Sequence, residues 1–249
     1  MQHALPEEGT TPLSTMNPSQ TTPFNAVANT LTSELLAEIM ELVISEHCDS
    51  YWSSARAQRT DTHFYEWLKV THIYRHWRQV ALQTPTLWRR IAVARLDCVD
   101  AMLERSNSLS LHVYADNLAR GSELREFMVL CHILTTQSNR IEACHLFLNL
   151  QLSPSAYELL RIKMADTQLP CLQYFDIEIV SSSFRRDLHR IPLKLHSSPL
   201  QEVRISGCTF PIASLSLSNS TTCLSIVRQR DYMISFHEML AVLQRAPNL

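Results

Sequence analysis

Glycine is almost absent: Gly9, Gly121 and Gly207 are the only three in 249 residues. Phosphate-cradling loops and dinucleotide fingerprints need several glycines at short spacing, so composition excludes both. No Gly-x-Ser-x-Gly elbow occurs either. The seven cysteines (Cys48, Cys98, Cys131, Cys144, Cys171, Cys208 and Cys223) are scattered, odd in number and without a Cys-x-x-Cys pair. No cationic start followed by an apolar run marks a signal peptide. The thiols therefore read as reduced, in a cytoplasmic or nuclear protein. Asn219-Ser220-Thr221 fits the glycosylation pattern but, with no secretory signal, reads as a chance match. No apolar run approaches the ~18 residues of a membrane span. Charge of either sign is also short of an excess: the net value is −2, which leaves no electrostatic footprint for nucleic acid or an anionic membrane.

What is present suits a chain with a real core, at 45% hydrophobic and 18% charged residues. The length admits one large domain, or a small one followed by a larger one. Residues 1–29 are rich in Thr, Ser and Pro (Pro6, Pro12, Pro18, Pro23), with no apolar period, and read as a disordered tail. Leu31–Ser45 reads as a helix, capped by Thr32 or Ser33, with Glu34 and Glu38 near its positive end. Leu35, Ile39 and Leu42 lie on one stripe and Leu36, Met40 and Val43 on the next. A short helix apolar on two sides implies one partner within the chain and a second outside it. Residues 48–64 read as a polar inserted loop, its base pinned by Tyr51 and Trp52. Trp67, Val70, Ile73, Tyr74, Trp77, Val80 and Ala81 then follow three-and-four spacing, which predicts a second helix over Trp67–Ala81. Thr84-Pro85 stops it, and Leu87, Trp88 and Ile91 form a further apolar cluster.

Beyond Asp97 the period changes. The template Leu-x-x-Leu-x-Leu-x-x-Asn/Cys-x-Leu fits Leu200-x-x-Val203-x-Ile205-x-x-Cys208-x-Phe210 throughout. Ile141-x-x-Cys144-x-Leu146-x-x-Asn149 fits its first nine positions and Leu172-x-x-Phe175-x-Ile177 its strand half. Leu109-Ser-Leu111-His-Val113 and Leu224-Ser-Ile226 read as further strands. Helical candidates lie between them at Gly121–Thr136, Ser155–Asp166 and Ile234–Arg245, the last with a Ser235/Glu238 capping box. One strand and one helix per unit cannot bury their faces alone, so the pattern predicts stacked units. The alternative is an α/β domain without a true repeat. Leu249 stands where another strand would start, so the pattern predicts either a truncated chain or an exposed apolar edge.

Motifs for chemistry are few. His237-Glu238 begins like a zinc-protease helix but lacks the second histidine, so no metal is implied. The adjacent pairs Cys131-His132 and Cys144-His145 point apart on a helix or strand and make no clamp. Arg75, Arg78, Arg89 and Arg90, near Lys69, His72 and His76, form the densest basic group, a solvated face or a rim for an acidic partner. Trp67, Trp77 and Trp88 are candidates for core or interface.

Leu31-x-x-Glu34-Leu35-Leu36-x-x-Ile39, then Val70-Thr-His-Ile-Tyr-Arg-His-Trp77-Arg78-x-Val80-Ala81, then Pro85-Thr-Leu87-Trp88, resembles an F-box, in particular the F-box-like proteins abundant in fungi. The family usually opens Leu-Pro-Pro-Glu-Leu, where this chain has Thr32 and Ser33. The resemblance implies an α/β protein in which an F-box-like helical module over 30–92 precedes an irregular leucine-rich-repeat-like solenoid over 97–249. It implies a non-enzymatic substrate adaptor of an SCF-type cullin–RING ubiquitin ligase. The docking residues toward the Skp-type adaptor would be Leu31, Glu34, Leu35, Leu36, Ile39, Val70, Trp77, Val80 and Trp88. A protein substrate would bind the exposed strand positions, among them Gln173, Asp176, Gln201, Glu202 and Arg204, and no cofactor is implied. Two alternatives stand beside it: a leucine-rich scaffold with a degenerate F-box and no ligase role, and an enzyme with a long-range Cys-His pair.

Overall fold

A computed structural model describes residues 31–53, 64–93, 95–116, 123–149, 162–163, 167–180, 199–207, 217, 219–227 and 235–249. The tail assigned to 1–29 lies outside the described residues. Helix α1 runs over Ser33–Ser53. Leu36 N–H donates to the Thr32 carbonyl at 3.0 Å and Leu35 N–H to Thr32 Oγ1 at 3.4 Å. Thr32 is therefore the capping residue, filling the role that a proline cannot. The helix continues past Ser45 because its buried stripe continues: Leu36, Met40, Ile44 and Cys48 recur every fourth residue and are all buried. The loop expected over 48–64 is thus helical through Ser53, and 54–63 lie outside the described residues.

The single helix expected over Trp67–Ala81 is instead two pieces. A 3-10 segment spans Glu66–His72, and helix α2 spans Arg75–Gln83 after an extended Tyr74 (φ −137°, ψ 150°). Val70, Thr71 and Ile73 are β-branched and disfavour continuous helix. Thr71 Oγ1 also donates to the Leu68 carbonyl at 2.7 Å, tightening the segment. The break turns Trp67 onto Trp88, with ring centroids 5.3 Å apart. Thr84 ends α2 in an extended conformation before Pro85, as its spacing predicts, and Pro85–Trp88 forms one more 3-10 turn.

Six strands follow, β1 (Arg90–Ala92), β2 (Leu111–Asp116), β3 (Ile141–Asn149), β4 (Tyr174–Val180), β5 (Glu202–Ser206) and β6 (Cys223–Val227). They make one open parallel sheet whose order in space is their order in the chain. Register partners Arg90, His112, Ala143, Tyr174, Glu202 and Cys223 stand 22, 31, 31, 28 and 21 residues apart. The molecule is thus a mixed α/β fold. Arg90–Ala92, at the end of the segment assigned to the helical module, is the first strand of the sheet.

Strand periodicity sends alternate side chains to opposite faces. One face carries two apolar rows. Ile91, Val113, Cys144, Phe175, Val203 and Leu224 are in register, as are Ala115, Leu146, Ile177, Ile205 and Ile226. Val99 and Met102 of helix α3 (Leu96–Arg105) and Phe127, Leu130, Ile133 and Leu134 of helix α4 (Glu123–Thr136) share their core. Helix α3 has no counterpart among the sequence-derived candidates, because it buries only Val99 and Met102. The five predicted strands are present; Leu111 pairs with Ile141 and, after a bulge, Val113 pairs with Cys144. Of the Ser155–Asp166 candidate only Ile162 and Lys163 are described, both helical. Cys208 and Phe210 lie outside the described residues. Helix α5 (Phe236–Arg245) has its predicted capping box.

Scarce glycine is spent where it is needed. At Gly207, φ is +74° and an added Cβ would sit 1.9 Å from the Ile179 carbonyl oxygen of the neighbouring strand. The other left-handed residue among those described is Asn107 (φ 52°), just past α3, where Asn tolerates that conformation. Gly207→Ala combines left-handed strain with a backbone clash and is expected to cost more than about 2 kcal/mol. Urea unfolding of the two proteins measures this, and an unchanged midpoint would contradict the close approach.

Candidate functional site

Two surfaces carry candidate residues. The first is the outer side of α1 with its neighbours. Leu35, Ile39, Leu42 and Val43 are exposed, at 51, 41, 65 and 42%, while the stripe behind them is core. The residues assigned to docking divide accordingly. Glu34, Leu35 and Ile39 face solvent; Leu31, Val70 and Trp77 are half-buried; Leu36, Val80 and Trp88 are buried. Trp88 donates its indole N–H to the Ala81 carbonyl at 2.7 Å and lies beneath the Arg105 guanidinium, 4.5 Å from the ring centre. Trp88 is thus a packing residue between α2 and α3. Trp67 is core as well, whereas Trp77 keeps part of its surface open. Glu34 sits in the first turn, where its own backbone N–H and the Thr32 hydroxyl hold its carboxyl below the usual range.

The basic group does not form one rim. Arg90 points from β1 to α1, donating to Glu41 Oε1 at 2.8 Å and Ser45 Oγ at 2.6 Å. Arg89 donates to His112 Nε2 at 2.5 Å and reaches Glu142 at 3.4 Å. Arg75 and Arg78 remain exposed on α2.

The second surface is the polar face of the sheet. There the register rows read Arg90, His112, Ala143, Tyr174, Glu202, Cys223 and Ala92, Tyr114, His145, Asp176, Arg204, Ser225. A depression of about 270 Å3 opens over the middle strands, lined by His112, Tyr114, His145, Tyr174, Asp176 and Arg204 among others. The Tyr114 and His145 rings stack at 4.8 Å and 7°, and Phe64 packs on Tyr114 at 5.0 Å. Asp176 is buried, its carboxylate 3.9 Å from His145 Nδ1. Glu202 and Arg204 pair with each other. Tyr174 donates its phenol to Gln201 Oε1 at 3.0 Å, and Gln201 donates to Gln173 Oε1 at 3.1 Å.

Of the strand positions expected to be exposed, Arg204 is exposed, Gln173, Gln201 and Glu202 are half-buried, and Asp176 is buried. Asp176 is shielded because aromatic and histidine side chains of β2–β4 occupy the same face. His112, Tyr114 and His145 were not among the sequence-derived candidates. Their signal was available as the positions directly after the apolar template positions on β2 and β3.

The paired Cys and His residues separate as strand and helix geometry requires. Cys144 is in the core and His145 on the polar face; Cys131 is buried and His132 exposed. Burial, then the Asp176 charge, pushes the Cys144 thiol up to about 12. Burial also raises Cys131 and, with help from Asp97, Cys98. These thiols stay protonated, the opposite of an activated nucleophile. Among the described residues no group of three or more His, Cys, Asp or Glu could hold a metal ion, and no helix is long and apolar enough to cross a membrane.

Burial, and then the Arg89 guanidinium, depress His112 to about 4. Its unfolded value is ~6.5. The unfolded chain therefore takes up this proton first as pH falls. Stability is intact above pH ~6.5 and declines toward pH 4, by at most about 3 kcal/mol from this residue. His112→Gln keeps an acceptor for Arg89 and removes the titration. Its urea midpoint is expected to fall less between pH 7 and 4.5 than that of the wild-type chain; parallel curves would exclude a buried neutral His112.

No protein-family model, no curated protein and no solved structure matches this chain.

Proposed function

We propose that the chain is a substrate-recognition adaptor of an SCF-type cullin–RING ubiquitin ligase. In this reading residues 30–92 form an F-box-like module that docks the Skp-type adaptor, and the sheet is a leucine-rich-repeat-like solenoid that holds a target protein. The protein supplies no nucleophile or acid. It raises the effective concentration of the target beside the ubiquitin-conjugating enzyme, making the transfer nearly intramolecular.

The observation that carries the reading is the apolar stripe of Leu35, Ile39, Leu42 and Val43 on the outer side of α1, opposite a stripe that is wholly core. Four neighbouring aliphatic residues exposed on one helix face form an apolar patch of the kind that marks an interaction surface. The stacking of strands in chain order, each with apolar residues at matching heights, supports the solenoid half.

A magnitude limits how the docking works. Full burial of one aliphatic side chain contributes ~1.5–3 kcal/mol, and these four are already about half covered. Together they offer on the order of 4 kcal/mol, against association costs of ~4–15 kcal/mol. The half-buried Leu31, Val70 and Trp77 and polar contacts have to supply the rest. A single charge placed in the stripe should then abolish docking, because a buried unpaired carboxylate costs several kcal/mol.

The test is capture of the purified full chain by a purified Skp-type adaptor, beside Leu35→Asp and Ile39→Asp. Both positions are exposed, so both variants should keep the wild-type urea midpoint. Saturable capture weakened at least tenfold in each is the expected result. Equal capture of all three, or no capture of the folded wild-type chain, would overturn the reading.

A further inference from the structure

We propose that the open edge of the sheet is a self-association surface on which a second copy of this chain pairs antiparallel, strand β6 to strand β6 and helix α5 to helix α5. The inference goes beyond the adaptor reading and does not rest on it.

The two edges of the sheet differ. Strand β1 is three residues long and is tied to α1 through Arg90, Glu41 and Ser45. Strand β6 pairs with β5 alone among the described residues. Edge strands are normally guarded by charge, proline or a bulge. Cys223-Leu-Ser-Ile-Val227 carries none of these, and its register with β5 is unbroken.

In a parallel pair, alternate residues turn both backbone groups to the same neighbour. Cys223 N–H donates to the Gln201 carbonyl, and Gly207 N–H to the Val227 carbonyl, both at 3.1 Å. Cys223, Ser225 and Val227 therefore bond inward to β5, while Leu224 and Ile226 turn their N–H and C=O groups to the open edge. These two flank Ser225 symmetrically. A two-fold axis through Ser225 sets Leu224 of each copy opposite Ile226 of the other, and each pair exchanges two hydrogen bonds. Ser225 then meets its own copy at a non-hydrogen-bonded position, where side chains approach most closely and a small residue fits.

Helix α5 continues the surface. Val242 and Ala246 enter the common core, and Asn248 donates to the Asn219 carbonyl just ahead of β6. Beside that buried stripe, Phe236, Met239, Leu240 and Leu243 follow the spacing of one helix face. Phe236 is 82% exposed, and the other three and Val227 of β6 between 40 and 49%. At ~150–200 Å2 for a large apolar side chain, these five expose on the order of 800–1,000 Å2 over two copies. The strand edges add to this, which reaches the low end of specific interfaces and fits a weak dimer. An axis perpendicular to the sheet keeps both α5 helices on one side and runs them antiparallel. The acidic first turn of one (Glu238) then lies toward the basic last turn of the other (Arg245), with unlike dipole ends together. A surface that complements itself in hydrogen bonds, apolar area and charge selects a second copy.

Sedimentation velocity of the purified full chain over ~1–300 µM should show a monomer–dimer equilibrium in the micromolar range. Leu240→Glu and Leu243→Glu, both at exposed positions, should keep the wild-type urea midpoint and weaken the dimer at least tenfold. Leu35→Asp, on the apolar stripe of α1, should dimerise as wild type does. Ser225→Cys, oxidised with glutathione disulfide, should be trapped as a dimer whose peptide map links residue 225 to residue 225. A wild-type chain that stays monomeric throughout, a dimer lost in Leu35→Asp but kept in the α5 variants, or a folded Ser225→Cys that does not link at 225 would each overturn the proposal. If Ser225→Cys fails to fold, the α5 and α1 variants still decide it. No adaptor is present in this experiment, so failure here leaves the docking test standing.

Discussion

Register in the parallel ladder is the constraint on which the rest depends. Six strands lie side by side in chain order, so each pairs only with its neighbours in sequence. Every strand must therefore bring an apolar residue to the same height as the last. Val113, Cys144, Phe175, Val203 and Leu224 do so, and Ala115, Leu146, Ile177, Ile205 and Ile226 repeat it two residues on. A slip of one residue would turn a whole strand inside out, moving its apolar set to the polar face. Register is also held at the strand entries. Gln173 N–H donates to the Glu142 carbonyl, Gln201 N–H to the Gln173 carbonyl and Thr222 N–H to the Gln201 carbonyl, all at 2.8 Å.

The helical segment is not independent of this ladder. Its buried residues and those of the sheet belong to one continuous core, from Leu36 to Ala246. Polar links reinforce the join. Arg90 of the first strand holds Glu41 and Ser45 of α1, and Tyr65 donates its phenol to the Ala92 carbonyl at 2.5 Å. Burial keeps that phenol protonated, raising it well above the usual tyrosine value. Phe64 extends the contact onto Tyr114 and so to the polar face. The outer stripe of α1 and the polar face of the sheet are thus joined by direct packing.

Both candidate surfaces are by-products of burial on the opposite side. On α1, four-residue spacing commits Leu36, Met40, Ile44 and Cys48 inward and leaves Leu35, Ile39, Leu42 and Val43 outward. On the sheet, two-residue spacing commits the apolar rows inward and lines up Tyr114, His145, Asp176 and Arg204 on the other face. Once the inward rows are set, the outward residues of successive strands stand about one strand spacing apart, close enough to stack and pair.

Periodicity alone determined five of the six strands, the capping box at Ser235, the stop at Thr84-Pro85 and the two-sided character of the first helix, because each depends on neighbours within one turn or one strand. Tertiary structure decided the rest. The helix expected over Trp67–Ala81 is two pieces, and the break lets Trp67 pack on Trp88 from a different segment, a contact invisible to local spacing. Helix α1 outruns its expected end because Cys48 has a core to enter. Arg90 looks like part of a basic rim in sequence and is instead a link to Glu41, forty-nine positions earlier. Asp176 looks like one exposed strand position among several, and only the alignment of three strands buries it beside His145. Local spacing chooses which face a residue takes; what stands opposite that face is fixed by chain segments far away in sequence.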